Sequence, residues 1–507
     1  MGDLLHRAWR DLGGAPQRLT CLRVTGWAEL PARLPVARFA VDTVAVQLLA
    51  AADLAAADVG SAAQAAGHRH DRGDDCEVVV DATHVGYSFR SERFLRIAGR
   101  AAGVEFAPLS RFAPAADGWV RLHANYPHHA AALHDALGSH PLEAISASGR
   151  FDVEESVIAA GGVAAAVRTP GEWSAHPAAL AVASAPLIDL RQVSGSASIE
   201  RSGPPRWEPP HPPHVRGGDP RTSMTGLLTG LRVLDLTRVI AGPVATRTLA
   251  SYGADVVRVE HPDLPEDHAT LLETGAGKRC TAYDLAHHVD RRRFAELLGG
   301  ADVLVHGYRP GALARQGLQA DTLAADHPHL IVASLSAWGT TGPWGGRRGF
   351  DSIVQAATGI AHLTGTGSGA TPPAAPHGRR PGTLPAQALD HGGGHLLAAA
   401  VLRALDVTRR QGGTWHAQLS LAGLAHQLLT PPRHGALGGA RPGTPAVIGD
   451  AEPYLLDLTG DGQAISVVAP PGSPPWGAGI RRTRPHETRW HPVIGDDVLD
   501  PTRSRGT

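Results

Sequence analysis

Apolar residues recur in short strand-like runs separated by longer helix-like runs, most regularly after residue 230. Strands are predicted at residues 232–236, 256–259, 303–305 and 330–334. Helical stretches lie between them, for example at 244–252 and 289–298. This alternation predicts an α/β large domain built on a Rossmann-like parallel sheet with helices on both faces.

The first half of the chain has a less regular pattern. Helices are predicted at 45–57, 129–137 and 154–159, a strand at 77–80, and a turn at Asp117-Gly118 followed by a strand. These elements predict a smaller α+β domain at 85–186, N-terminal to the large domain at 227–450. Residues 187–226 are rich in Pro and Gly and predict a linker. The C-terminal tail is placed at 451–507; its segment from Pro470 to Thr507 has a similar composition, and we expect that segment to pack poorly.

Composition narrows the functional classes. The chain has 507 residues, a formal net charge of -1, and 19% charged residues, so nothing favours nucleic acid or an anionic membrane as partner. Three cysteines argue against a disulfide scaffold and favour a reducing cytoplasm. The first residues lack the apolar core of a secretory signal, and no apolar run is expected to span a membrane.

Two glycine-containing loops precede helical stretches. The first, TRVIAGPVA at 237–245, lacks the glycine fingerprint of a dinucleotide site, so NAD binding is disfavoured and an ordinary strand-to-helix turn remains possible. The second contains Asp390 and the glycines Gly392, Gly393 and Gly394. Asp390 could be a helix N-cap, or a functional anion beside glycines whose N–H groups receive developing negative charge.

Several cations stand next to glycines, and each has a plain alternative as a solvated surface charge. They are Lys278, Arg279, Arg309, Arg315, Arg347 and Arg348. Together they could surround a phosphate-bearing ligand. His123, His128, His129 and His134 have no spacing that predicts a metal site, so no metal is expected.

Taken together, several stretches resemble the family III CoA-transferases of the carnitine–bile acid (CaiB/BaiF) type. In order from about residue 227 to 429 they are GLRVLDLTRVIAGPVATRTLASYGADVVRVEHP, GKR, YRPGALARQGL, LSAWGTTGPWGGRRGFDSIVQAATG and ALDHGGGHLLAAA. The resemblance implies transfer of CoA from an acyl-CoA to a free carboxylic acid through an aspartyl-CoA thioester. It implies no prosthetic group; CoA enters as substrate.

The resemblance also assigns roles to residues of this chain. Asp390 matches the family's nucleophile, with Gly392–Gly394 shielding the intermediates. The residues implied to contact CoA are Ile240, Ala241, Lys278, Arg279, Tyr308, Arg315 and Arg348.

The chain departs from the family pattern at three places. His306-Gly307 replaces a common Glu-Asn, His261 replaces an Arg found in some members, and Phe350 stands where racemases of the superfamily have His. An α-methylacyl-CoA racemase is therefore a weaker alternative, because Phe350 carries no proton. A catalytically inactive CoA-binding protein is the other alternative.

The order of domains is also unusual, because the small domain precedes the large one. A weak repeat relates the stretch from Leu34 to that from Leu384: Asp42 and Asp390 are each followed six and seven residues later by Leu-Leu. We therefore interpret residues 1–84 as a degenerate partial copy of the large-domain end, with Asp42 as a relic of the nucleophile. A homodimer, or a monomer that mimics one by internal duplication, is expected.

Overall fold

The computed structural model describes residues 3–65, 77–103, 106–193, 207, 224–365, 379–430 and 450–491, with the side chains of 58–65 and 315 excepted. The helices are α1 Asp3–Asp11, α2 Val36–Ala65, α3 Ala82–Ser88, α4 Pro127–Leu137, α5 Pro141–Ser146, α6 Arg150–Ala159, α7 Pro170–Ser174, α8 Pro177–Ser184, α9 Ala241–Ser251, α10 His268–Thr274, α11 His288–Gly299, α12 Ala320–Asp326, α13 Asp351–Ala357, α14 Ile360–Thr364, α15 Ala388–Gln411 and α16 Leu421–Leu429. Short 3₁₀ turns lie at Pro16–Cys21, Ser91–Arg93, Ala314–Gln316 and Glu452–Tyr454.

The strands belong to four sheets. They are β1 Leu22–Thr25, β2 Val78–Asp81, β3 Arg96–Ile97, β4 Arg100–Ala101, β5 Phe112–Ala115, β6 Gly118–Leu122, β7 Ala164–Ala166, β8 Ile188–Gln192, β9 Arg232–Leu236, β10 Asp255–Glu260, β11 Lys278–Ala282, β12 Val303–His306, β13 Ile331–Ser336, β14 Trp415–Ser420, β15 Leu455–Gly460, β16 Gln463–Val468 and β17 Arg481–Arg482.

The largest sheet has the strand order β17-β11-β10-β9-β12-β13-β14-β8. Its strands pair in parallel except β8, which runs antiparallel to β14. Apolar residues of α9 and α15 cover one face, and those of α11 and α12 cover the other. The predicted strands match β9, β10, β12 and β13 within two residues, so the prediction of a parallel sheet in an α/β region is confirmed.

The long helix α15 is buried along most of its length. Every residue from Ala388 to Thr408 except Arg403 is buried. Helix α2 of the N-terminal half packs along it, and both belong to one apolar core with α9. The N-terminal half is therefore part of the wall of the central domain.

Helix α2 corrects one expectation. It is longer than the predicted 45–57, and its segment Val36–Ala57 is apolar and long enough to cross a membrane, contrary to the expectation that no such run exists. However, 78% of the relevant window is buried inside the protein. Packing against α15 therefore accounts for this hydrophobicity.

The two halves share a local order of elements. In the N-terminal half, the parallel strands β1 and β2 flank α2, and α3 follows β2 directly. In the C-terminal half, the parallel strands β13 and β14 flank α15, and α16 follows β14 directly. Both final helices are capped from the preceding strand, by the side chains of Asp81 and Ser420. This shared order is what an internal repeat would produce.

A small antiparallel sheet, β5-β6-β7, packs with α4, α5 and α6 in a separate apolar cluster. This α+β unit contacts the large domain through α13. The backbone N–H of Arg168 donates to the Ala356 carbonyl oxygen at 3.1 Å. Arg121 Nε donates to Ser352 Oγ at 3.2 Å. The small unit is thus joined to the helix that leads toward α15.

Two segments pack more tightly than their composition predicts. Ile188–Gln192, inside the predicted linker, is the strand β8 of the largest sheet. In the predicted tail, β16 pairs with β3 of the N-terminal half, and Trp476 is 4% exposed. The expectation of poor packing is therefore wrong at Trp476 and Ile480, which are buried in one apolar cluster with Leu271 and Leu272 of α10.

We predict that Gly392→Ala destabilises the fold through the contact between α2 and α15. A Cβ at Gly392 would lie 2.5 Å from Cε1 of Phe39, which is itself 3% exposed. Overpacking of this kind costs about 1–3 kcal/mol, measured as the free energy of unfolding in urea. Adding Phe39→Leu should recover part of the loss; additive effects in the double variant would contradict the contact. Gly299→Ala, where nothing lies within 4 Å of the added atom, is the control.

Candidate active site

Asp390 lies within the first turn of α15, whose N-cap is Gln387. It is therefore not the N-cap, and the glycines that follow it are helical. The sequence-based expectation of a glycine loop before the helix is wrong, because α15 starts two residues earlier than Asp390. The side chain is buried, with 6% of the residue exposed.

A second carboxylate, Asp351, holds the start of α15. Its Oδ2 accepts the N–H groups of Leu389 at 2.9 Å and of Asp390 at 3.1 Å. Its Oδ1 accepts a hydrogen bond from the Gln355 amide, whose own oxygen accepts the Leu384 N–H at 3.0 Å. Asp351 thus supplies the acceptor that the first N–H groups of a helix lack, and it fixes the backbone that carries Asp390.

The surroundings of Asp390 disfavour its charged form. Burial raises the pKa of Asp390 well above its ordinary value, and the carboxylates of Asp351 and Glu92 raise that pKa further. Burial also raises the pKa of Asp351 to about 6, against the lowering effect of Gln355 and of the two backbone N–H groups. Among the described residues, the charged groups that shift the pKa of Asp390 are both carboxylates.

The three glycines after Asp390 allow close packing on three sides. A Cβ at Gly392 would meet Phe39 of α2, one at Gly393 would lie 2.9 Å from Leu335 of β13, and one at Gly394 would lie 2.6 Å from the Ala241 carbonyl oxygen. Larger residues would push α15 away from α2, β13 and α9. The glycines therefore set the depth at which Asp390 is held.

The loop between β9 and α9 is locally strained. Val239 has φ +67°, which a β-branched residue adopts only under constraint. Its N–H donates to Glu266 Oε2 at 2.8 Å, and Arg238 lies 3.7 Å from the same oxygen. Ile240 is the half-buried N-cap of α9, and Ala241, 5% exposed, is its first residue. The constraint presents the free N–H groups at the start of an eleven-residue helix.

Lys278 and Arg279 have structural partners. The Lys278 ammonium, whose side chain is 0% exposed, donates to Thr246 Oγ1 at 2.6 Å, the Pro243 carbonyl oxygen at 2.9 Å and Asp235 Oδ2 at 3.2 Å. One Arg279 nitrogen donates to both carboxylate oxygens of Asp255, at 2.6 and 2.8 Å. These contacts join β11 to β9 through Lys278 and to β10 through Arg279.

Other predicted residues do come together. Tyr308, 43% exposed, follows β12. Arg238 contributes to the electrostatic surroundings of Tyr308, and Arg309 to those of Arg348. Arg348 also donates to the Gly161 carbonyl oxygen of the small unit at 2.6 Å. The Arg315 side chain lies outside the described part of the structure.

The small unit contributes aromatic and imidazole groups beside these cations. The Arg238 guanidinium lies 4.6 Å from the Tyr126 ring centroid, and the Tyr126 hydroxyl donates to Glu266 Oε1 at 3.2 Å. His123 stacks on Phe350 with ring centroids 3.7 Å apart. The sequence spacing did not predict this clustering, because it arises from contacts between domains.

The histidines form a neutral cluster. The rings of His128 and His129 are 4.2 Å apart. Burial lowers the pKa of His123 and of His129 to about 3, so both are neutral near pH 7. Within the described ranges, no group of three or more His, Cys, Asp or Glu side chains is arranged to hold a metal ion.

A cavity of about 640 Å³ adjoins Tyr308 on the sheet side. Its floor carries polar side chains of β12, β13 and β14, including Ser334, whose hydroxyl lies 3.1 Å from His416 Nε2. Tyr308 and Arg309 form part of its rim. The cavity therefore opens beside the aromatic residue that the sequence singled out.

Three functional candidates were missed from the sequence. Asp351 stands in the quoted GGRRGFD stretch, so the motif could have indicated it. Val239 stands between residues that were considered, but its positive φ has no local signal in a valine. Glu92 belongs to the N-terminal half, and only the tertiary structure brings it toward Asp390.

The model of the CoA-transferase family III matches residues 228–472. The chain is 34% identical over 198 residues to the probable fatty acyl-CoA transferase Rv3272 of Mycobacterium tuberculosis, covering 36% of this chain and 48% of that protein. It is 34% identical over 166 residues to human succinyl-CoA:glutarate CoA-transferase (30% and 38%), and 34% identical over 246 residues to acetyl-CoA:oxalate CoA-transferase of Acetobacter aceti (45% and 59%). The chain thus spans about half the length of the curated relatives it matches.

Two solved structures are also similar. The crystal structure of Rv3272 is 34% identical with a TM-score of 0.35, covering 40% of this chain and 56% of that one. A CaiB/BaiF family protein from Brucella suis is 26% identical, also with a TM-score of 0.35, covering 46% and 64%. Superpositions at this level do not bear on the fold. The sequence matches place the similarity in residues 228–472, and over this part the chain is similar to CoA-transferase family III.

Proposed function

We propose that the protein transfers CoA from an acyl-CoA to a free carboxylic acid through an aspartyl-CoA thioester on Asp390. The observation that carries the proposal is the buried Asp390 carboxyl, held at the start of α15 by Asp351 and lacking a cationic partner among the groups that act on its pKa. A carboxylate whose charge is poorly stabilised is a better nucleophile than a solvated one. The names of the relatives, which are CoA-transferases, point to the same chemistry.

The proposed steps balance without an oxidant, a reductant or a metal ion. A carboxylate oxygen of Asp390 attacks the thioester carbonyl, the C–S bond breaks, and an acyl–aspartyl anhydride and CoA thiolate form. The thiolate attacks the aspartyl carbonyl, which releases the donor acid and leaves aspartyl-CoA. The acceptor carboxylate then attacks the aspartyl-CoA carbonyl, the C–S bond breaks, and a second anhydride and CoA thiolate form. The thiolate attacks the acceptor's carbonyl in that anhydride, which gives the new acyl-CoA and releases the Asp390 carboxylate. CoA is thus a substrate in this scheme and no prosthetic group takes part.

We place CoA at the loop between β9 and α9. In the sheet order, β9 lies between β10 and β12, so the connections turn in opposite directions there. Ligands of open, Rossmann-like sheets bind at such reversals, outside the carboxyl ends of the strands. The strained Val239 and the free N–H groups at Ala241 support this placement, because a helix N-terminus favours phosphate.

Arginines at the cleft are the proposed phosphate contacts. Arg238, Arg309 and Arg348 lie near Tyr308 and the small unit, whereas Lys278 and Arg279 are committed to Asp235 and Asp255. Tyr308 would stack on the adenine, with the adjoining cavity of about 640 Å³ receiving the nucleotide end. The predicted contribution of Arg315 belongs to this proposal as well.

The N-terminal half completes the site in the proposed assembly. It supplies α2 against α15 and the small unit against the β9–α9 loop, within one chain. We propose that the protein acts as a homodimer or as a monomer in which this half takes a partner's place. A cytoplasmic location is part of the same proposal, since the described residues carry reduced cysteines, Cys21 and Cys280.

Asp390→Asn should abolish CoA transfer, because it removes the nucleophile, while hydroxylamine should trap an adduct on Asp390 of the wild-type protein during turnover. Asp42→Asn is the matched control: Asp42 is the repeat equivalent, is also buried, and is paired with Arg38 at 2.8 Å. Transfer should persist in the control. An Asp390→Asn protein that still transfers CoA from a panel of acyl-CoAs would refute the mechanism.

Asp390→Asn should also change how the free energy of unfolding depends on pH. An acid whose folded pKa is raised contributes stability that is present below its unfolded pKa and is lost as the pH rises through its folded pKa. Asp390→Asn should therefore be more stable than the wild type at pH 8 and lose that advantage near pH 4. Chemical unfolding at both pH values measures it. A wild-type advantage at pH 8 would contradict the raised pKa of Asp390.

Tyr308→Ala should raise the KM for acyl-CoA donors by roughly 5- to 150-fold, because stacking on a base contributes about 1–3 kcal/mol. Donors truncated to pantetheine lack the base and should be affected little. The exposed Trp27, at the N-terminal half, gives the control Trp27→Ala. Equal losses with full-length and truncated donors would show that Tyr308 does not contact the nucleotide.

A further inference from the structure

The short 3₁₀ turn Ser91–Arg93 brings the N-terminal half to the start of α15. On one side of Glu92, the buried Ser91 hydroxyl accepts a hydrogen bond from Arg247 of α9 at 3.3 Å. On the other side, Arg93 donates to the Pro385 carbonyl oxygen at 2.7 Å, three residues before α15. The residues flanking Glu92 are thus both fastened to the large domain, and the Glu92 side chain between them has a defined direction.

The Glu92 side chain reaches the first turn of α15, which carries Asp390. Glu92 Oε2 lies 3.5 Å from Nε2 of His391, the residue after Asp390, and His391 is 0% exposed. Glu92 Oε1 lies 3.7 Å from Arg93 Nε. Glu92 Oε2 is itself buried and has no hydrogen-bond partner among the described residues. The Glu92 side chain is thus partly exposed, with its buried oxygen beside the first turn of α15.

We propose that Glu92 is a positioning residue for Asp390, which places a second negative charge beside the nucleophile and so destabilises its free carboxylate relative to its acylated form. This inference rests on the proposed function. When Asp390 oxygen bonds to the acyl carbon and the C–S bond breaks, the negative charge moves from Asp390 to the CoA sulfur. The repulsion from Glu92 and Asp351 is relieved in that step, which lowers the barrier to forming a neutral aspartyl adduct.

The charges around Asp390 come from every element packed on this region. They are Asp351 of α13, His391 and His395 of α15, Arg247 of α9, Glu273 of α10, Glu92 and Arg93 of the 3₁₀ turn, and Arg38 and Asp42 of α2. Arg247 is paired with Glu273, and Arg38 with Asp42. Burial lowers the pKa of His395 to about 3, so it is neutral. The carboxyls of Asp351 and Glu92 are therefore the acidic neighbours that act on Asp390.

The first test is the pH profile of kcat/KM in Glu92→Gln, which removes the charge but keeps the shape. The acidic limb, where Asp390 loses its proton, should move to lower pH by about half a unit or more. The plateau of kcat should fall while the KM for acyl-CoA stays within about twofold. Glu92→Asp keeps the charge and should retain the wild-type limb. Glu77→Gln, an exposed glutamate of the same half, is the control.

The second test does not need activity. The Asp390 carboxyl can be titrated by infrared spectroscopy of protein labelled with ¹³C-aspartate, using the difference from Asp390→Asn. Its midpoint should be lower in Glu92→Gln than in the wild type. If the midpoint and the acidic limb are both unchanged in a Glu92→Gln protein with wild-type unfolding curves, the inference is overturned. If Glu92→Gln lowers the midpoint but the wild-type protein transfers no CoA, the effect of Glu92 on Asp390 stands and the proposed function is rejected.

Discussion

The burial of α15 is the constraint on which the rest of the structure depends. This helix starts at Ala388 and is covered by α2, α9, β13 and β14, so almost no side of it faces solvent. Three consecutive glycines let those neighbours approach within contact of its backbone. Asp390 is carried inside by the same packing. Its raised pKa is thus a direct result of how the core is assembled, since burial is the largest cause.

Because α2 is one wall of that core, the N-terminal half cannot be regarded as an appendage. Further contacts cross between the halves: Gln47 Nε2 donates to the Tyr252 hydroxyl at 2.6 Å, and Arg403 Nε donates to the Leu12 carbonyl oxygen at 2.9 Å. The C-terminal strand β16 pairs with β3. These interactions stabilise an arrangement in which segments distant in sequence share one core, and they explain why the small unit can reach the β9–α9 loop.

The sequence predicted the strands and helices whose positions depend on local apolar periodicity. Strand β9 was placed at its observed bounds, and α9 and β10 within a few residues, because apolar periodicity and turn residues are local signals. Strand β8 was missed because five residues within a Pro/Gly-rich region gain their order only by pairing with β14, more than two hundred residues away. The helical start at Ala388 was missed because Asp351, the carboxylate that accepts its first N–H groups, lies far back in the chain.

The candidate site divides in the same way. Asp390, Tyr308 and Arg348 came from motifs, and the structure puts Tyr308 and Arg348 among other arginines. Lys278 was selected for the glycines beside it. Its partners Asp235 and Thr246 reach it only because β11 lies in the same sheet as β9, and no local sequence pattern predicts that contact. Glu92 had no signal at all, because its relation to Asp390 exists only after α2 and α15 pack together.

The two aspartates of the repeat show how a shared position can have different chemistry. Burial raises the pKa of Asp42 to about 6, even though Arg38, one helical turn before it, acts to lower that pKa. The corresponding place before Asp390 is Ala386, which is buried and carries no charge. Asp390 instead has Asp351 and Glu92 as charged neighbours. Both aspartates are buried, so burial does not distinguish them; the sign of the neighbouring charge does. Asp42 is paired with a cation, whereas Asp390 is repelled by two carboxylates, and this repulsion falls when its negative charge passes to a substrate.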